Sequence, residues 1–185
     1  MPPSIRLFLA AYPPDSIVAL LQSRATALPL PDHKPVPTDQ VHITLVFLGD
    51  RRSAALPQIE TSIAASCKGV RPCIVRPRRL VTLPEKGPAR LVAAETDAPP
   101  PLLELHKRLA HRLAARDKRS TAFLPHLTLL RFPGAGADFH TATDLATPDH
   151  DPSTLAFEVR TVCLMKSTLH PLGVRHELLR EFALG

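Results

Sequence analysis

HITLVFLG, from His42 to Gly49, and HLTLLRFPG, from His126 to Gly134, are two versions of one phrase. Each sets a histidine and a threonine two residues apart inside an apolar, β-prone run. Side chains at i and i+2 of a strand project from one face. The phrases therefore predict two strands, about Val41 to Leu48 and His126 to Phe132, each presenting a His–Thr pair. A single such tripeptide arises easily by chance, and a lone strand histidine is more often packed and hydrogen-bonded than functional. Two copies in matched contexts, 84 residues apart, point to two similar halves that each supply one motif strand.

The flanking sequence supports that division. Ile5 to Tyr12 predicts a buried strand. Pro13-Pro14-Asp15 ends it and opens a helix to about Leu28, with Ile17, Leu20, Leu21 and Leu28 as its apolar stripe. Pro29 to Pro37 is a loop, and Gly49-Asp50 closes the first motif strand. A helix over about Ser53 to Cys67 follows, then an extended arm from Arg71 to Leu83, a turn at Pro84 to Pro88, and a strand from Ala89 to Glu95. Leu102, Leu105, Leu109 and Leu113 form one face of a helix over about Pro101 to Arg116. Pro133 to Pro152 is the expected flexible loop. Two closing strands are expected, over about Thr154 to Ser167 with a break, and over Val174 to Phe182.

A chain of 185 residues with 44% hydrophobic content is expected to form one domain, 1–185, with a packed core. Its net charge of +6 favours polyanionic partners. Aromatics are scarce and tryptophan is absent, so stacking platforms are few. Cys67, Cys73 and Cys163 are too scattered for a disulfide framework or a zinc site, and suggest reduced thiols in the cytoplasm. No segment approaches the roughly 20 apolar residues of a membrane helix, and the N-terminus lacks a secretory pattern.

Two facing His–Thr strands would bring together two acid/base groups and two hydroxyl donors. That set can hydrolyse a phosphodiester without a metal or other cofactor. One imidazole takes a proton from water, the other protonates the leaving oxygen, and the hydroxyls hold charge on the non-bridging oxygens. No carboxylate accompanies either motif and no HExxH occurs, which argues against a metal. No GxxxxGK[ST] is present to cradle a triphosphate.

HxTLxFLG followed by PHxTLxR resembles the two-histidine (2H) phosphoesterase superfamily, and within it the RNA 2′,3′-cyclic phosphodiesterases, also called 2′-5′ RNA ligases. RLFLAAYPP (Arg6 to Pro14), KPVPTDQVHITLVFLGD (Lys34 to Asp50), LHKRL (Leu105 to Leu109), FLPHLTLLR (Phe123 to Arg131) and LMKSTLHPLGVRHELL (Leu164 to Leu179) carry the likeness almost end to end. The resemblance implies an α+β, bilobal fold: two pseudo-symmetric, interwoven lobes whose antiparallel sheets line a central cleft, with helices outside. It implies opening of an RNA 2′,3′-cyclic phosphate to a 2′-phosphomonoester, with His42 as proton donor and His126 as proton acceptor. It also implies ATP-independent 2′-5′ ligation in reverse. One departure stands out: the family often has tyrosine where this chain has His176.

Thr44, Thr128 and Arg131 are the candidate phosphate-binding residues, and Phe47, Phe132 and Ser167 the candidate base or cleft contacts. Strict alternation turns Arg131 away from the His126 face and Phe47 away from the His42 face, so a surface charge and a core phenylalanine are the competing readings. Arg76, Arg78 and Arg79 are either an RNA-steering cluster or a solvated arm. His106 and His111, beside Lys107, Arg108 and Arg112, suggest a solvated helix face. The partners expected are RNA ends or small nucleotides with a cyclic phosphate, acted on by a monomer. Two alternatives stay open: a 2H enzyme for a small cyclic nucleotide, and a binding module without catalysis.

Overall fold

The computed structural model describes residues 4–114, 123–134, 136–145, 152–170 and 173–185. The chain begins with β1 (Ser4–Ala11), α1 (Asp15–Thr26), β2 (Lys34–Pro35) and β3 (Ile43–Arg52). Then come α2 (Leu56–Cys67), β4 (Cys73–Val75), β5 (Pro77–Leu83) and β6 (Leu91–Thr96). It continues through α3 (Pro100–Leu113), β7 (His126–Arg131), β8 (Ala142–Asp144) and β9 (Phe157–Val159), and closes with β10 (Thr161–His170) and β11 (Gly173–Ala183).

The main sheet runs β11-β10-β1-β3-β7-β6-β5-β8, with β2 beside β7; β4 and β9 form a separate pair. All its pairings are antiparallel. The order is pseudo-symmetric about its middle: on each side come a motif strand, the strand that precedes its helix, then two outer strands. The two expected sheets are thus halves of one. They meet where β3 and β7 pair at a single position, Ile43 with Leu127.

The repeat extends to the helices. β1-α1-β3 and β6-α3-β7 follow one another at the motif interval, but the helices exchange halves: α1 packs on β7 and α3 on β3. Leu102, Leu105, Leu109 and Leu113 are all buried, as their spacing requires. In α1 the buried residues are Val18, Leu21 and Ala25, while Leu20 faces water, so its stripe is rotated from the one expected. These helices and the apolar face of the sheet form the main core. A second, smaller cluster of Phe8, Ala10, Cys163 and Met165, with Tyr12, lies on the other face of β1 and β10.

Two expectations fail locally. β3 does not close at Gly49-Asp50 but runs on to Arg52. The stretch after Pro133 holds β8, which pairs with β5. Ala135, residues 146–151 and the expected helix end at 115–116 lie outside the described residues. Among the described residues no helix is long and apolar enough to cross a membrane.

Candidate active site

His42 immediately precedes β3 and Thr44 lies at its start; His126 and Thr128 begin β7. All four are half-buried, between fully buried Ile43 and Leu45 on one strand and Leu127 and Leu129 on the other. The apolar residues face the helices, so the His–Thr pairs face the cleft. The Ile43–Leu127 pairing joins the motifs in antiparallel register. Continued by one residue in each direction, that register would set His42 across from Thr128 and His126 across from Thr44.

The two imidazoles are held alike. Nδ1 of His42 donates to the Gln40 carbonyl at 2.7 Å, and Nδ1 of His126 to the Leu124 carbonyl at 2.9 Å. A carbonyl can only accept, so the proton sits on Nδ1 and Nε2 is left to exchange protons. In both motifs the acceptor is two residues upstream. Gln40 ends a short 3-10 turn and Leu124 precedes Pro125, so local backbone supplies each fixed carbonyl.

His42 is enclosed by rings. Phe8 lies 5.0 Å away between centroids, Tyr12 5.4 Å and His176 5.2 Å, edge-on. His176 also meets Phe8 at 4.8 Å. Burial among them lowers the His42 pKa to about 4 against the Gln40 carbonyl, which favours the charged form; His176, His126 and Arg131 add repulsion. Burial, then Arg131, lowers His176 as well, and its Nδ1 is buried with no hydrogen-bond partner among the described residues. Burial raises the Tyr12 hydroxyl, with Cys163 and Asp39 adding to it. Burial therefore favours the neutral imidazole of His42 near pH 7.

Arg131 and Phe47 both face the cleft, against the alternation argument, because each motif strand carries a β-bulge. Between β1 and β3, Ala10 pairs with Thr44 but Leu9 with Val46, which leaves Leu45 as an extra residue. Between β6 and β7, Ala93 pairs with Thr128 but Val92 with Leu130, which leaves Leu129 extra. An extra residue reverses the alternation beyond it. Phe47 then pairs with Phe8 on the His42 face and is 72% exposed. Arg131 pairs with Leu91, two residues from Ala93 and so on the Thr128 face. Two consecutive buried positions, Leu45-Val46 and Leu129-Leu130, mark the reversal. A second irregularity leaves Leu48 extra, and Gly49 at φ +71° adopts the conformation it needs.

The other expected contacts divide. Phe132 is 7% exposed and packs against Phe139 in the main core, so it is not a cleft residue; the reversal that exposes Arg131 buries its neighbour. Ser167 pairs with His176 and Arg6, which places it on the cleft face of the outer strands. Arg76 and Arg78 pair with Asp97 at 3.9 and 3.3 Å, and Arg79 with Glu95 at 2.6 Å, so the basic arm is largely neutralised by its own carboxylates. Among the described residues Arg131 has no such ion pair. His106 is no solvated side chain: it bonds the Leu45 carbonyl and stacks on Phe123. No group of three or more His, Cys, Asp or Glu suited to a metal ion occurs among the described residues. His176 was visible in the sequence only as a departure from tyrosine; its contact with His42 depends on the long β10–β11 pairing.

The chain is 29% identical over 188 residues to an RNA 2′,3′-cyclic phosphodiesterase of Thermus thermophilus, covering 97% of this chain and 90% of that one. It is 28% identical over 156 residues to another so named from Aquifex aeolicus, covering 82% of each. The crystal structure of TT0787 of Thermus thermophilus superposes with a TM-score of 0.77 at 28% identity, over 97% of this chain and 98% of that one. Escherichia coli LigT complexed with 3′-AMP superposes at 0.74 with 22% identity, over 98% and 99%, and that likeness shows the fold alone. Residues 13–171 match the 2′-5′ RNA ligase superfamily model, and the chain belongs to that family.

Proposed function

We infer that the chain is an RNA 2′,3′-cyclic phosphodiesterase that opens the cyclic phosphate to a 2′-phosphomonoester. The carrying observation is the matched pair of imidazoles, each fixed through Nδ1 and drawn from opposite halves of the sheet. The names of the two relatives agree with it. Water attacks phosphorus as His126 Nε2 takes its proton. The bond from phosphorus to the 3′-oxygen breaks, and His42 Nε2 gives that oxygen a proton. Burial makes His42 a weak base, so the charge of a bound phosphate must favour its imidazolium. Thr44 and Thr128 donate to the non-bridging oxygens and Arg131 grips the phosphate. Phe47 offers its exposed ring to a base, and Ser167 lines the outer strands. With a 5′-hydroxyl in place of water the reverse reaction forms a 2′-5′ bond without ATP.

No metal or cofactor enters this scheme. Residues 1–185 act as one domain, since α1 and α3 each pack on the other half's motif strand. Three buried free thiols suit the cytoplasm, and a monomer suffices because both histidines come from one chain. The test is phosphorus NMR of products from a defined RNA with a 2′,3′-cyclic phosphate end, and from the matching mononucleotide. A 2′-phosphomonoester, formed faster from RNA, is the expected result. A 3′-phosphate would exchange the two histidine roles. Turnover of the mononucleotide alone would favour a small-nucleotide enzyme, and binding without turnover a non-catalytic module.

A further inference from the structure

The extra residue of a bulge drops out of the ladder, and its carbonyl needs another donor. In β3 that carbonyl belongs to Leu45, and His106 of α3 donates to it through Nδ1 at 2.8 Å. In β7 it belongs to Leu129, and Gln22 of α1 donates through Nε2 at 3.2 Å. His106 stands 84 residues beyond Gln22, the interval between His42 and His126. Each clamp also reaches the other motif's lead-in. Gln22 donates to the Val36 carbonyl at 2.7 Å, and the Val36 N–H itself donates to Leu129 O at 2.9 Å. The His106 ring stacks on Phe123 at 4.0 Å, next to Leu124, whose carbonyl holds His126. Glutamine and imidazole share little shape. What they share at these two equivalent positions is an N–H aimed at the bulge carbonyl.

We propose that Gln22 and His106 are positioning residues that hold the two bulges and so aim Arg131 and Phe47 into the cleft. Without His106 the Leu45 carbonyl loses its side-chain donor; without Gln22 the Leu129 carbonyl keeps only the Val36 N–H and the Val36 carbonyl loses its side-chain donor. Either loss weakens the bulge against a return to regular pairing, and a one-residue slip turns every later side chain to the opposite face. Gln22 thereby governs Arg131, and His106 governs Phe47. The proposal rests on the phosphodiesterase reading, because its readout is catalysis.

The test is a pair of double-mutant cycles on kcat/KM, with an RNA ending in a 2′,3′-cyclic phosphate. Gln22→Met keeps the length and loses the donor. It should cost about tenfold, mainly in KM, the size of one lost hydrogen bond at a buried carbonyl. In an Arg131→Ala background the same change should cost almost nothing further. His106→Phe keeps the stack on Phe123 and loses the N–H, and should behave likewise against Phe47→Ala. His106→Gln, which supplies the other half's donor, should recover most of that loss. Losses that multiply in both cycles, or a His106→Gln variant as impaired as His106→Phe, would overturn the proposal while leaving the phosphodiesterase reading intact. If Gln22→Met fails to fold by circular dichroism, the His106 cycle decides. No turnover by the unmodified chain would remove the phosphodiesterase reading, and the clamps with it.

Discussion

His42 shows how a short motif acquires its chemistry from its surroundings. The Gln40 carbonyl fixes its tautomer, and Phe8, Tyr12 and His176 take it out of water. Desolvation dominates, so its pKa falls to about 4. The kcat/KM profile reports the free enzyme. Its acid limb should therefore lie near pH 4, well below an ordinary imidazole, with both limbs belonging to the coupled set of histidines. An acid limb at pH 6 to 7 would show His42 to be solvated. The same shift acts on stability. Between about pH 4 and 6.5 the unfolded chain binds a proton at this position that the folded chain refuses. Stability from His42 is thus full above about pH 6.5 and is lost as the pH falls towards 4. Urea midpoints of the unmodified chain and His42→Asn should diverge across that window, with the unmodified chain losing more on acidification. Parallel midpoints would contradict the burial argument.

At the scale of elements, stability and aim reside in different places. Leu105 is fully buried on α3 against the core, so Leu105→Ala should cost about 2–5 kcal/mol. At Gly49 a Cβ meets nothing within 4 Å, and only φ +71° opposes it. Gly49→Ala should therefore cost about 1–2 kcal/mol. Urea unfolding that ranks Gly49→Ala above Leu105→Ala would contradict this division. The elements themselves were legible. The α3 stripe follows from leucine spacing, and the motif strands from the two HxT phrases. The bulges were not. HITLVFLG and HLTLLRFPG keep apolar residues on both sides of the reversal, so nothing in their hydrophobic pattern distinguishes Leu45-Val46 or Leu129-Leu130 from regular pairing. Strict alternation consequently misplaced Phe47 and Arg131. Gly49 signals only the later irregularity at Leu48, since glycine inside a strand pattern marks a bulge as readily as an end. His106 was misread for a related reason: its acceptor is a carbonyl that only the bulge sets free.

For the whole molecule, the pseudo-symmetric sheet divides the chemistry between halves. One contributes His42, Thr44 and Phe47, the other His126, Thr128 and Arg131, and they join at Ile43 and Leu127. The net charge of +6 overstates the attraction for RNA, because Arg76, Arg78 and Arg79 already pair with Asp97 and Glu95. In the proposed reaction acid, base and phosphate donors are all side chains, so activity should persist in excess EDTA without ATP. Loss on chelation, restored by zinc or manganese, would contradict that. The central claim, that the two histidines act as one unit across the junction, is tested most directly by turnover of a cyclic-phosphate RNA with His42→Ala, His126→Ala and the double variant, each checked for native circular dichroism. Each single change should lower kcat by at least about a hundredfold. The double change should be little worse than the poorer single, as for groups that work only together. Near-normal turnover in either single variant, or losses that multiply in the double, would contradict the account.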